Sequence, residues 1–165
     1  MTRIPPPSPT ALSFLAVLRE VGRLQGPKLL DEWLADGRLP RDDLREVLQY
    51  VWTNAEGSTR EFPIPKWVAL FREADYSLRP QQAVRLYRGT RPGRWRRGMS
   101  WTTGRDSAGW FADHCIELGS RQAEVVTVLA PPAAMLVEIA DDRENEVVVD
   151  PARLPRVRLI EVRRA

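Results

Sequence analysis

An α+β fold is predicted for this 165-residue chain by two contrasts along its length. Apolar residues in the first half recur at the spacing of a helix face. The second half is instead made of short runs rich in β-branched residues, with one helix-patterned segment among them.

The elements follow in order. Met1 to Thr10 is rich in proline and reads as an extended lead-in. Phe14, Val17, Leu18 and Val21 then mark one helix face, and Leu44, Val47, Leu48 and Val51 mark another. Between them, Pro27 to Ala35 opens and carries a short helix that stops near Gly37 and Pro40. Asn54 to Pro65, with Gly57, Pro63 and Pro65, is expected to be a loop, and Trp67, Leu70 and Phe71 begin a further short helix. These stripes are accounted for by core packing and imply no site. Strands are expected at Val84–Tyr87, Glu124–Leu129, Leu136–Ile139, Glu146–Val149 and Val157–Val162. The interrupting helix has Ala108, Phe111, Ala112 and Cys115 on one face, and Thr103 with Asp106 forms a capping box at its start. The expected organisation is a lead-in over 1–10, a helical region over 11–79 and a β-rich core over 80–165, in one compact domain overall.

Bulk properties narrow the function classes. A single cysteine, Cys115, excludes an intramolecular disulfide and fits a reducing compartment. One histidine and one cysteine do not make a familiar zinc cluster, so no metal is expected. No apolar run approaches the ~20 residues of a membrane helix, and the start lacks the apolar segment of a secretory signal. A cytoplasmic protein without membrane partners is the expectation. The net charge is +3, yet seven arginines and no acidic residue lie between Arg85 and Arg105. Guanidinium forks suit phosphate oxygens, so this stretch is a candidate surface for a dinucleotide or nucleic acid. Lys28 and Lys66 are the only lysines, so a general preference for arginine explains the cluster equally well as a solvated loop.

Three segments of the β-rich half carry polar groups that packing does not require. In Leu86-Tyr87-Arg88-Gly89-Thr90, an arginine at a strand end precedes a glycine that lets a ligand approach the backbone. Gly98-Met99-Ser100-Trp101-Thr102-Thr103 runs into the helix bearing Trp110 and Phe111. Flat apolar surfaces beside hydroxyls there suit an aromatic ring such as nicotinamide, although helix capping and core filling also explain them. In Arg143-Glu144-Asn145-Glu146-Val147-Val148-Val149, strand alternation puts both carboxylates on one face. Their repulsion is costly unless a cation or a ligand hydroxyl occupies the space, although a solvated acidic strand entrance also explains the pair, and the apolar run that follows predicts a central strand.

In this order the three segments resemble the arginine–serine–glutamate class of mono-ADP-ribosyltransferases. That family has an arginine ending its first core strand, a Ser-Thr-Ser-like strand and a Glu-x-Glu pair. The counterparts here are Arg88, Ser100-Trp101-Thr102 and Glu144-Asn145-Glu146. Trp101 stands where many members have threonine, while Thr102 keeps the hydroxyl of the second serine. Ser-Trp-Thr-Thr followed by Ala-Gly-Trp-Phe-Ala is most similar to the small transferase-like, toxin-like effector proteins of phages and bacteria. The resemblance spans roughly Val84 to Leu159 and leaves the amino-terminal helices outside.

The resemblance implies a split β-sheet core, NAD as substrate, and transfer of ADP-ribose to a protein arginine or a nucleic acid with release of nicotinamide. It implies that Glu146 holds a ribose hydroxyl and places its charge beneath the forming sugar cation, in chemistry akin to glycoside hydrolysis. Ser100 orients Glu146, Arg88 contacts the diphosphate or ribose, and Glu144 polarises the nucleophile. The Gly89 backbone holds the nicotinamide amide, Trp101 or Phe111 covers the ring, and Thr102 keeps the polar character of its strand. Two alternatives stay open: an NAD glycohydrolase, and a catalytically weak protein that binds NAD or nucleic acid.

Overall fold

The fold is given by a computed structural model that describes residues 8–54, 62–76, 80–140 and 145–165. The chain divides into two compact units, residues 1–76 and 77–165, where the sequence suggests one domain.

The first unit is helical. Helix α1, Pro9–Val21, begins inside the expected lead-in, because Ser8 caps it: the Ala11 N–H donates to Ser8 Oγ at 3.0 Å. Proline at the first helical position loses no hydrogen bond. Gly22, at φ 93°, ends the helix in a conformation that side chains disfavour. Helix α2 spans Gly26–Ala35, α3 Arg41–Asn54 and α4 Ile64–Glu73. The expected loop over Asn54–Pro65 therefore closes earlier, since Pro65 sits in the first turn of α4, where proline is tolerated. Its residues 55–61 lie outside the described residues. The core of this unit combines Leu and Val side chains with an aromatic cluster, in which Phe14 is edge-on to Trp33 and Trp67 edge-on to Trp52 and Phe62.

The second unit is built on one sheet. Its strands are β1 Val84–Thr90, β2 Ser100–Thr102, β3 Gln122–Ala130, β4 Met135–Ala140, β5 Asn145–Val149 and β6 Arg158–Arg164. They lie in the order β4-β5-β2-β1-β3-β6, and every neighbouring pair is antiparallel. Strand β5 lies between β4 and β2, so the apolar run of Val147, Val148 and Val149 is buried as its sequence suggests.

The two sheet faces have different covers. On one, Leu86, Trp101, Val126, Val128, Val147 and Val149 form a continuous apolar cluster. On the other lies helix α5, Arg105–Glu117, whose Ala108 and Ala112 meet Ala123 and Val125 of β3. Small residues on both sides allow this close approach. The capping box expected for α5 does not form: its cap is Gly104, with no side-chain bond. The neighbouring hydroxyl that does work there is Thr102 Oγ1, which accepts from the Gly104 N–H at 3.1 Å.

Candidate active site

Strand register decides which polar side chains meet. Tyr87 of β1 stands opposite Thr102 of β2, and Thr102 stands opposite Glu146 of β5. Directly opposed residues share a sheet face, so these three project from the side that α5 covers. Ser100 is opposite Val148, which leaves it diagonal to Glu146 on that same face. Thr102 is thus the hydroxyl-bearing residue directly across from Glu146 on β2, with Ser100, to which the resemblance gives the orienting role, one diagonal step away.

An open pocket of about 190 Å³ forms at this point, lined by Tyr87, Arg88, Gly89, Ser100, Trp101, Thr102, Phe111 and Glu146. Typical pockets for whole ligands hold roughly 300–1,000 Å³, so this one has room for only part of such a ligand. Apart from Trp110, every described residue expected at the site lines it. Tyr87, which sequence reading passed over, lines it too; its position beside Arg88 was the available signal. Glu144, expected to polarise the nucleophile, lies outside the described residues.

The structure adds a constraint at three residues. Trp101 turns to the far side of the sheet, 2% exposed in the apolar cluster, and its indole N–H donates to the Gly98 carbonyl at 2.8 Å. Its ring is core, and Phe111 is the aromatic available to cover a ligand. Trp110, by contrast, is exposed on α5 and stacks on His114. Gly89 serves the helix: a Cβ there would overlap the Ala108 carbonyl and lie 2.5 Å from Ala112 N and 2.8 Å from Phe111 Cβ. The absent side chain lets α5 sit directly on β1 and carries Phe111 to the pocket wall.

Arg88 is fixed by backbone. Its Nε donates to the Trp95 carbonyl at 3.2 Å and its Nη1 to the Ser100 carbonyl. Gly98 leaves space for the guanidinium, since a Cβ there would stand 2.5 Å from Nη2. Burial lowers the Arg88 pKa, while Cys115 and Glu146 oppose that shift. A guanidinium starts so far above neutrality that it stays protonated. The fork has five N–H donors, so some remain for a ligand after these two bonds.

The arginine-rich stretch also resolves into parts. Arg96 pairs with Glu124, and Arg97 donates to the Pro151 carbonyl at 2.8 Å and the Leu154 carbonyl at 2.6 Å. With Arg88, three of the seven guanidiniums thus bind the protein itself. Arg85, Arg91, Arg94 and Arg105 are exposed, Arg94 lying over the Trp95 ring. Glu124 is the partner that sequence reading missed; a lone glutamate heading an apolar strand was its only signal.

Comparison with protein-family models, with curated proteins and with solved structures gives no match. Among the described residues, no group of three or more His, Cys, Asp or Glu side chains could hold a metal ion. No helix of these residues is long and apolar enough to cross a membrane.

Proposed function

We propose that this chain is an NAD-dependent mono-ADP-ribosyltransferase, which releases nicotinamide and passes ADP-ribose to a protein or nucleic-acid acceptor. The observation that carries the reading is convergence. Arg88, Ser100 and Glu146 come from three different strands and line one pocket with Gly89, Thr102 and Phe111. The chemistry of such a set is coherent. A carboxylate at the pocket wall stabilises the positive charge that grows on the ribose as nicotinamide leaves. Phe111 offers the departing ring an apolar face, and Ser100 and Thr102 bring hydroxyls from the neighbouring strand to the same pocket. Arg88 supplies fixed positive charge for the diphosphate.

The test is nicotinamide release from NAD by purified protein, beside Glu146→Gln, with and without cell lysate. Glu146→Gln is expected to slow release by about 10²–10³-fold, the usual cost of removing one preorganised electrostatic group. Stimulation by lysate, with label from NAD appearing on a macromolecule, supports transfer. Equal release without lysate points to a glycohydrolase, and no release by the parent protein removes the reading.

A further inference from the structure

The second unit carries an ion pair in which a buried carboxylate meets a half-exposed guanidinium, and the cost of that burial calls for a reason. Glu124 of β3 is 2% exposed, opposite Thr90 of β1. A buried carboxylate is costly, and pairing it often stabilises a protein no more than apolar residues of similar volume. What the pairing adds is direction. Arg96 meets Glu124 with a full fork, Nε to Oε2 and Nη2 to Oε1, both at 2.6 Å.

Arg96 belongs to the short helical turn Gly93–Arg97 between β1 and β2. The next residue, Arg97, ties the same turn to the carbonyls of Pro151 and Leu154. The turn is therefore pinned at two points, and its Trp95 carbonyl is held in place. That carbonyl accepts from Arg88 Nε and from Thr90 Oγ1, both at 3.2 Å. Arg88 is held in turn, with Gly98 and the Ser100 carbonyl completing the cradle.

We infer that Arg96 and Glu124 are positioning residues, whose ion pair anchors the Gly93–Arg97 turn to a buried carboxylate so that the Trp95 carbonyl holds the Arg88 guanidinium at the pocket wall, and that they thereby control NAD binding. The last clause rests on the function proposed above; the positioning of Arg88 does not.

The experiment reads Arg88 in the full chain by ¹⁵N NMR of arginine side chains. The Arg88 Nε–H signal is assigned by its loss in Arg88→Lys. Arg96→Leu combined with Glu124→Leu removes both charges and leaves no orphaned carboxylate, so a folded protein is expected. In this variant the Arg88 Nε–H should exchange with water at least ~10-fold faster, as a hydrogen bond released from a pinned loop does. KM for NAD should rise about tenfold, the equivalent of one charge-assisted hydrogen bond, with kcat within about threefold. Should the double variant fail to fold, Glu124→Gln carries the same comparison with the charge alone removed. A folded variant that keeps the slow Arg88 exchange overturns the inference, whatever its activity. Faster exchange with unchanged KM overturns the control of NAD binding. Faster exchange in a protein whose parent never turns over NAD supports the positioning, and it is then the proposed function that falls.

Discussion

At the residue scale, two glycines shape the candidate site by what they lack. Gly98 leaves the space that the Arg88 guanidinium fills, and Gly89 lets α5 rest on β1. Neither has a positive φ, so the requirement is steric and comes from a neighbour. Gly89→Ala places a methyl against the α5 backbone, which is rigid and cannot yield as a side-chain tip would. The variant is expected to lose about 1–3 kcal/mol of stability, as overpacked cores do, and to lose NAD turnover as Phe111 retreats. Thermal melting and nicotinamide release check the two effects together. A stable, fully active Gly89→Ala would show that α5 has other room to move.

At the element scale, what matters is the register of three short strands. Because β2 offers Thr102 to Glu146 directly and Ser100 only diagonally, the two hydroxyls are expected to contribute differently. Thr102→Val keeps the shape and deletes the hydroxyl, which also bonds the Gly104 N–H at the start of α5. It is expected to lower kcat for nicotinamide release by about tenfold, the scale of one hydrogen bond, while Thr102→Ser retains most activity. Steady-state kinetics of both variants beside Ser100→Ala measure this. A larger loss in Ser100→Ala than in Thr102→Val would return the orienting role to Ser100. The element boundaries themselves were partly legible. The periods of the helices and the β-branched runs located nearly every element, and the central place of β5 followed from its apolar run. The start of α5 was not legible, because Thr103 and Asp106 have capping-box spacing and only the path of β2 sends Thr102 to that role.

At the scale of the whole molecule, charge is unevenly shared. Residues 77–165 hold fifteen arginines against eleven acidic residues, whereas residues 1–76 hold ten basic residues against eleven acidic ones. The excess does not form one uniform surface, since Arg88, Arg96 and Arg97 bind protein groups. Substituting Arg85, Arg91, Arg94 or Arg105 by Ala is expected to change stability by no more than about 0.5 kcal/mol, as exposed sites usually do. Arg97→Ala is expected to cost about 1–3 kcal/mol by orphaning carbonyls of the Pro151–Leu154 segment. Denaturant unfolding of the five variants separates the two groups. Polynucleotide affinity that falls steeply with salt, and falls further in the four exposed variants, would give those arginines a phosphate-binding role.

The sequence by itself determined what depends on local period and residue type. Helices in the first half, strands in the second, and the polar residues that packing did not need could all be read there. Arg88, Gly89, Ser100, Thr102, Phe111 and Glu146 were legible as a set because the order of their segments resembles a known family. Only the tertiary structure decided who faces whom. A sheet face is fixed by register, and one residue of slip exchanges the two faces, so the burial of the Trp101 ring and the pairing of Thr102 with Glu146 depended on contacts between distant strands. The Arg96–Glu124 pair depended on them as well. Twenty-eight positions separate its two members, and no local pattern records a partner brought near by folding.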